Sequence, residues 1–200
     1  MNLIIVRHGE SEAALKGIVE GRADFRLTER GRRQAGLLGE WITARWQVTR
    51  IYTSPLLRAR ETAEAIAQAA GIGMTEDPDL MEFNNGLLAG ITMSEVEHRY
   101  PAVADVPAHS SVYRQETRIQ YRMRAENVLS RVFHENGEHD QVVLVSHGGM
   151  INQLFRAFMK LPLDQNAFIA SDDAGLHFWA APQGSRGIIL TNSLDHLKGR

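Results

Sequence analysis

Residues 3–8 read LIIVRH and residues 142–147 read VVLVSH. In each stretch four consecutive aliphatic residues precede one polar residue and then a histidine. A short apolar run of this kind, rich in β-branched residues, is typical of a strand that is buried on both faces, as in a parallel sheet. The two stretches therefore predict two buried parallel strands whose carboxyl ends carry His8 and His147.

The sequence outside these two runs alternates between further strand patterns and helix patterns. Shorter strands are expected at 51–53, 176–180 and 187–190, with a hairpin turn at 182–185 between the last two. Helices are expected after the cap residue Thr28 (with Ala35, Leu38, Ile42 and Arg45 on one face), from Pro55 to Gly71, over Glu116–Asn136 and over Met150–Met159. This alternation predicts an α/β fold: a three-layer sandwich with a mostly parallel central sheet and helices on both faces.

The organisation of the chain indicates one domain over residues 1–200. No linker, internal repeat or low-complexity tract divides the sequence. The segment 84–115 fits the alternation of strands and helices least well, since it contains Gly86, Gly90, Pro101 and Pro107. Long irregular insertions in α/β domains often form lids or binding surfaces, so we expect a lid or cap-like insertion here.

Composition and charge exclude several classes of protein. Hydrophobic residues make up 44% of the chain and charged residues 23%, which is typical of a globular protein. A formal net charge of -2 gives no general attraction to nucleic acid or to anionic membranes, so neither is expected as a partner. The chain has no cysteine, which excludes disulfides, thiolate metal sites and a cysteine nucleophile. Its apolar runs are too short for a signal peptide or a membrane span, which favours a cytoplasmic protein; the oligomeric state is left open.

Four polar side chains are expected to converge at one edge of the sheet. If the run at 51–53 is a neighbour of the other two strands, Arg7, His8, Arg58 and His147 meet beyond their carboxyl ends. Arginine offers a planar fork of donors that matches phosphate oxygens, so the set suits a dianion. It suits a metal poorly, because Arg7 beside His8 would repel a cation and no H-E-x-x-H or H-x-H spacing occurs. We expect Asp172-Asp173 to form a solvated turn, and we expect neither a metal nor a cofactor.

A series of motifs runs through the chain in a fixed order. They are RHGES at 7–11, GRAD at 21–24, LTERGRRQA at 27–35, SPLLRA at 54–59, LME at 80–82 and SHGG at 146–149. In this order and at these distances the sequence resembles the histidine phosphatase superfamily, in its phosphoglycerate-mutase-like branch. It departs from the family at Ala14, where many members have an asparagine that contacts the phosphoryl group, at Arg26 in place of a frequent proline, and at Asn152 in place of a common arginine.

The resemblance implies a role for each site residue. His8 would take the phosphoryl group as a nucleophile and form a phosphohistidine, while Arg7, Arg58 and His147 would clamp the three phosphoryl oxygens. Glu82 would protonate the leaving oxygen and then activate water, although nothing in the spacing of the sequence ties this residue to the histidines. The remaining residues that we assign to phosphate or substrate binding are Ser11, Gly21 and Gly148.

Three functions remain open on the sequence. The preferred one is a metal-independent phosphatase acting on a small phosphorylated metabolite, because the chain is short and the insertion after Gly90 carries Glu95, Glu97 and Asp105 besides Arg99. A mutase would need basic residues there for a second anionic group, and it typically carries Glu-Arg-His-Tyr-Gly where this chain has residues 82–86. The third is a phosphate- or phosphopeptide-binding module without turnover, for which a neutral imidazole aimed at phosphorus has no purpose.

Overall fold

A six-stranded sheet lies at the centre of the protein in the computed structural model, which describes residues 1–198. The strands are β1 (Asn2–Arg7), β2 (Arg50–Thr53), β3 (Thr75–Glu76), β4 (Gln141–Ser146), β5 (Leu176–Ala180) and β6 (Gly187–Ser193). Their order is β3-β2-β4-β1-β5-β6; the first four are parallel to one another, and β5 and β6 are antiparallel to their neighbours. The predicted mostly parallel α/β sheet is confirmed. The sequence prediction missed β3, which has only two residues and therefore no readable pattern.

Helices follow the strands in alternation. They are α1 (Glu12–Leu15), α2 (Glu29–Thr43), α3 (Leu57–Ala70), α4 (Met93–Arg99), α5 (Arg118–Glu135) and α6 (Gly148–Phe158), with 3-10 turns at Pro78–Leu80, Gly86–Leu88, Pro182–Gly184 and Asp195–Leu197. No helix within residues 1–198 is long and apolar enough to cross a bilayer.

Each face of the sheet is covered by its own hydrophobic core. Leu3 and Ile5 of β1 pack with α5 and α6 in one core, and Ile4 and Val6 of the same strand pack with α2 and α3 in the other. Successive side chains of a strand point to opposite faces, so a strand with a core on both sides has to be apolar at every position. Each fully buried side chain of this size stabilises the fold by about 1.5–3 kcal/mol. These two cores produce the three layers that the alternating pattern predicts.

Capping residues fix where the helices begin. The Thr28 hydroxyl accepts a 2.9 Å hydrogen bond from Gly31 N–H, as expected for the start of α2. Thr117 and Gln120 form a capping box, so α5 begins at Arg118, two residues later than the sequence pattern predicts. The prediction for Arg45 is wrong: α2 ends at Thr43, and Arg45 is exposed.

The segment 84–115 contains one 3-10 turn and α4, and it is otherwise irregular. Backbone hydrogen bonds attach it to the loop before residue 20, from Val19 N–H to Ile91 O at 2.9 Å and from Gly90 N–H to Val19 O at 2.8 Å. Gly86 has a φ of +54°, and a Cβ there would lie 2.2 Å from Tyr113 O, which makes glycine necessary at this turn. That the segment acts as a lid stays a prediction.

The buried His177 makes the stability of the fold depend on pH. Its Nε2 lies 3.0 Å from Ser171 Oγ, and its Nδ1 accepts a 3.2 Å hydrogen bond from Asn192 N–H, so the native structure holds the neutral ring. Burial lowers the pKa of His177 from 6.5 to about 4. Between these two values the unfolded chain binds a proton that the folded chain does not, so this contribution to stability is lost as the pH falls from about 6.5 to about 4.

We therefore expect His177→Gln, which keeps a donor and an acceptor, to flatten the pH dependence of unfolding. Relative to its own value at pH 8, the free energy of unfolding at pH 5 should fall by about 2 kcal/mol less in the variant than in the wild type. Urea denaturation at both pH values measures this difference, and the subtraction removes any packing loss that does not depend on pH. Equal pH slopes in the two proteins would contradict the assignment.

Candidate active site

The four polar residues predicted to converge are brought together at the carboxyl edge of the sheet. His8 follows β1, His147 follows β4, and Arg58 lies in the first turn of α3 after β2. Because β2, β4 and β1 are consecutive in the sheet, the three strand ends are neighbours. The rings of His8 and His147 lie 5.1 Å apart between centroids.

His8 is a buried imidazole in which one ring nitrogen carries the proton and the other keeps its lone pair. Its Nδ1 lies 2.8 Å from Gly9 O, a carbonyl that can only accept, so Nδ1 carries the proton. Its Nε2 accepts a 3.3 Å hydrogen bond from Arg58 Nε–H. Burial lowers the pKa of His8 well below the usual value of 6.5, and the charges of Arg58 and then Arg7 lower it further. The ring is therefore neutral near pH 7, which is the form a nucleophilic imidazole needs.

Arg58 is completely buried and is anchored through backbone carbonyls. Its two terminal nitrogens donate to Ala23 O at 3.0 Å and to Gly21 O at 2.8 Å, which leaves Nε directed at His8. Burial lowers the pKa of Arg58, and the carboxylates of Glu20 and others oppose this shift. Gly21, which the sequence assigns to phosphate binding, thus contributes a carbonyl that positions Arg58.

His147 is held in one tautomer by Ser54. The Ser54 hydroxyl accepts a hydrogen bond from Leu56 N–H at 3.3 Å and lies 2.8 Å from His147 Nε2. When the Ser54 hydroxyl donates its proton to Nε2, the proton of the neutral ring is on Nδ1. Burial lowers the pKa of His147 well below 6.5, with Arg58, His8 and Arg7 adding to the shift. Its Nδ1 is buried and has no partner within residues 1–198.

Arg7 is oriented by the turn at residues 171–173. Its guanidinium donates to Ser171 O at 2.6 Å and pairs with Asp173 at 3.0 Å. The predicted turn is present, but Asp173 is more than a solvated carboxylate, since it faces Arg7 and burial raises its pKa. Arg7 Nε is buried near Gly148 and, among the described residues, has no hydrogen-bond partner.

Two buried nitrogens, Arg7 Nε and His147 Nδ1, therefore have no hydrogen-bond partner within residues 1–198. A buried donor without a partner costs about 1–3 kcal/mol, so such groups usually have a ligand. An anion placed against His8 Nε2 would supply acceptors for both.

Glu82 is fixed to the start of α6, directly after His147. Its Oε2 accepts from Gly149 N–H at 3.0 Å, and its Oε1 accepts from Phe83 N–H at 2.7 Å and from the Tyr121 hydroxyl at 2.5 Å. A Cβ on residue 149 would lie 2.4 Å from Oε1 of Glu82, so only glycine allows this approach. Burial raises the pKa of Tyr121 well above 10, and the adjacent Glu82 raises it further, so this hydroxyl remains a donor.

The loop after α1 brings in Glu20, a residue that the sequence analysis missed. Ser11 is fully buried; its hydroxyl accepts from Ala14 N–H at 3.2 Å and donates to Glu20. Glu20 Oε2 lies 3.4 Å from Arg58 Nε and 3.9 Å from His8 Nε2. Residues 16–20 have no periodic pattern, so nothing in the sequence indicates that this side chain turns toward His8. Ala14 itself is exposed, and its amide is already used by Ser11.

The structure brings Gly148 to the first position of α6, where its carbonyl accepts from the Asn152 side chain at 3.0 Å. Asn152, one of the departures from the family pattern, also forms hydrogen bonds with both backbone groups of Ile169 and so ties the following loop to α6.

Residues 1–198 contain no group of three or more histidine, aspartate and glutamate side chains that could hold a metal ion.

This is an α/β protein with its polar pocket at the carboxyl edge of a parallel sheet, the place where such folds bind ligands. The chain belongs to the histidine phosphatase superfamily, branch 1, whose family model matches residues 3–189. The resemblance read from the motifs is thereby confirmed.

Relatives of this chain include phosphatases and a mutase-like protein. Phosphoserine phosphatase 1 of Hydrogenobacter thermophilus is 28% identical over 98% of this chain and 94% of its own length. Phosphoglycerate mutase-like protein 4 of Arabidopsis thaliana is 27% identical over 76% of this chain and 69% of its own. A solved mycobacterial glucosyl-3-phosphoglycerate phosphatase in complex with VO3 has a TM-score of 0.85 at 25% identity, covering 96% of this chain and 99% of that one.

The hydrogen bonds of the pocket predict the protonation state of both histidines. At pH 6 we expect His8 and His147 to be neutral with the proton on Nδ1, because burial lowers the pKa of each, because Gly9 O accepts from His8 Nδ1–H and because the Ser54 hydroxyl can donate to His147 Nε2. Nitrogen-15 NMR of the imidazole rings measures charge and tautomer directly. Ser54→Ala should change the His147 signals and leave those of His8 in place. A charged His147 at pH 6, or its proton on Nε2, would show that the network is assigned wrongly.

Proposed function

We propose that this protein is a metal-independent phosphatase that hydrolyses a small phosphomonoester through a phosphohistidine on His8, with Glu82 as the proton donor. The observation that carries the proposal is the state of His8: a buried, neutral ring whose Nε2 lone pair faces the pocket beside Arg58. A binding module has no use for a nucleophile held in this way, whereas phosphoryl transfer requires it.

In the first step His8 Nε2 attacks phosphorus, and the bond from phosphorus to the leaving oxygen breaks. The leaving oxygen takes the proton of Glu82, so the alcohol departs neutral. Arg58, Arg7 Nε and His147 Nδ1 would stabilise the charge on the three equatorial oxygens, which satisfies the two unpaired donors.

In the second step water attacks the phosphohistidine, and the phosphorus–nitrogen bond breaks. Glu82 takes a proton from the water, and His8 recovers its neutral ring with the proton still on Nδ1. The hydrogen bond from Nδ1 to Gly9 O holds the ring in place through both steps, so that Nε2 alone exchanges the phosphoryl group.

We propose that the leaving group enters a cavity of about 610 Å³ that is lined by Phe83, the residue after Glu82 in the chain, and by residues between 88 and 118. Apolar residues form most of its wall, including Leu88, Val96 and Tyr100, and its charged lining residues are Glu97, Glu116 and Arg118. One arginine beside two glutamates is poorly suited to a second phosphate or carboxylate, so hydrolysis is favoured over mutase chemistry. We propose that segment 84–115 covers this cavity as a cap, and that the substrate is a phosphorylated metabolite of the cytoplasm.

The proposal predicts turnover without metal that depends on His8. With excess EDTA, the wild type should hydrolyse p-nitrophenyl phosphate, and His8→Ala should lower kcat/KM by about a thousandfold or more. His134→Ala, an exposed histidine near the end of α5, is the matched control and should keep full activity. Rapid quenching should trap a phosphoenzyme that is stable to base and labile to acid in the wild type and in His134→Ala, but not in His8→Ala. Equal activity in His8→Ala and the control would rule out the mechanism.

A second prediction concerns proton donation by Glu82. Glu82→Gln should lower kcat/KM for an alkyl phosphate by about 10²–10⁴-fold, and that for p-nitrophenyl phosphate much less, since kcat/KM reports only the transfer to His8, in which nitrophenolate leaves without a proton. Tyr121→Phe should lower kcat for the alkyl ester by about tenfold at unchanged KM, because Tyr121 positions Glu82 without touching the substrate.

Tyr52→Phe is the matched control for Tyr121→Phe. The Tyr52 hydroxyl also donates to a glutamate, Glu135, at 2.8 Å, but this pair lies at the far end of α5. A loss of kcat/KM that is the same for both esters, or a loss of kcat for the alkyl ester that is the same in both tyrosine variants, would argue against Glu82 as the proton donor.

A further inference from the structure

The carboxylate of Glu20 occupies part of the region in which the proposed mechanism places a phosphoryl group. Glu20 Oε2 lies 3.4 Å from Arg58 Nε and 3.9 Å from His8 Nε2, the two atoms that a phosphoryl group has to approach. The same carboxylate accepts the hydroxyl hydrogen bond of Ser11. A reacting phosphorus sits roughly 3–3.5 Å from its nucleophile, so its oxygens fall in the same region as the Glu20 oxygen.

The surroundings of Glu20 explain why the free protein keeps a carboxylate there. Arg58 is completely buried, and a buried charge without a counter-ion is strongly unfavourable. The groups that face the pocket are the cations Arg58 and Arg7, the neutral rings of His8 and His147, the Ser11 hydroxyl and the carboxyl groups of Glu20 and Glu82, of which Glu20 lies 3.4 Å from Arg58. Glu20 is thus the nearest anion to Arg58 while no ligand is bound.

A phosphoryl dianion and the Glu20 carboxylate cannot both stay against Arg58 and His8. Two like charges about 4 Å apart repel strongly in a pocket that is shielded from solvent. Glu20 belongs to an irregular loop, and its side chain is 19% exposed, so rotation about its own side-chain bonds can take the carboxylate toward solvent. That rotation also releases the Ser11 hydroxyl, which then has a proton to donate to a phosphoryl oxygen.

We propose that Glu20 is an intramolecular competitor of the phosphoryl group. Its carboxylate occupies a phosphoryl-oxygen position in the free enzyme, withdraws when substrate binds, and returns to displace inorganic phosphate after hydrolysis. This inference rests on the proposed function and adds to it a residue that sets phosphate affinity and product release. Ser11 alternates between the two partners, Glu20 in the free enzyme and the phosphoryl group in the complex.

Calorimetric titration with inorganic phosphate and, in separate runs, with orthovanadate tests the competitor directly. Glu20→Gln removes the charge at nearly constant shape and should lower the Kd of both anions by about tenfold or more. Glu20→Asp keeps the charge but shortens its reach, and it should also lower both Kd values. Glu29→Gln removes an exposed charge that pairs with Arg33, and it should leave them within about twofold of the wild type.

Ser11→Ala adds a second test of anion binding, because the Ser11 hydroxyl donates its hydrogen bond to Glu20 only while that carboxylate is in the pocket. The substitution should weaken anion binding more in the Glu20→Gln background than in the wild type. Competitive inhibition of turnover by phosphate should strengthen in Glu20→Gln in parallel with the Kd.

The outcomes separate this inference from the proposed function. Binding in Glu20→Gln that equals or is weaker than in the wild type, with turnover intact, would overturn the competitor and leave the phosphatase standing. A wild type and a Glu20→Gln protein that are both folded by circular dichroism, yet bind neither anion and turn over no ester, would overturn both. If Glu20→Gln did not fold, the Glu20→Asp titration would decide alone: a Kd equal to that of the wild type refutes the competitor.

Discussion

The guanidinium of Arg58 is completely buried beside His8, and most of the pocket is arranged around that one charge. A buried guanidinium is tolerated only when its donors are satisfied and its charge is balanced. The carbonyls of Gly21 and Ala23 satisfy two of its nitrogens, and the third is aimed at His8 Nε2. The same charge then acts on its neighbours, because it helps to keep both imidazoles neutral, and a nucleophile for phosphorus has to be neutral.

The fold supplies this arrangement through the order of its strands. The strand before Arg58 is β2, and it pairs with β4, which in turn pairs with β1. Three chain segments that are distant in sequence therefore end at one edge, and together they supply Arg7, His8, Arg58 and His147. The apolar runs of β1 and β4 contribute to both cores, so a change of register in either strand would expose one core and move His8 or His147. Stability and site geometry are thus set by the same residues.

The sequence predicted the parts of this structure that local patterns determine. Continuous apolar runs identified β1 and β4, and the residues just after them identified His8 and His147, because strand ends in α/β folds have a fixed relation to the site. Glu82 needed the family resemblance, since its position depends on a close approach to Gly149 that no spacing reveals. Glu20 was missed for a related reason: its loop has no period, and only tertiary contacts decide where its side chain points.

Electrostatic balance also explains why a phosphate pocket should contain an acid. A site with two arginines and oriented N–H donors binds dianions well, but a tightly held product slows an enzyme whose chemistry is fast. An internal anion that replaces the ligand at Arg58 lowers the free energy of the empty site, and it weakens substrate and product binding alike. It does not weaken the transition state selectively, because the carboxylate has already left the pocket when His8 attacks. In the proposed arrangement Glu20 raises KM and speeds phosphate release, while the groups that we propose to stabilise the transferring phosphoryl group, Arg58 and His147 among them, act as they would without it.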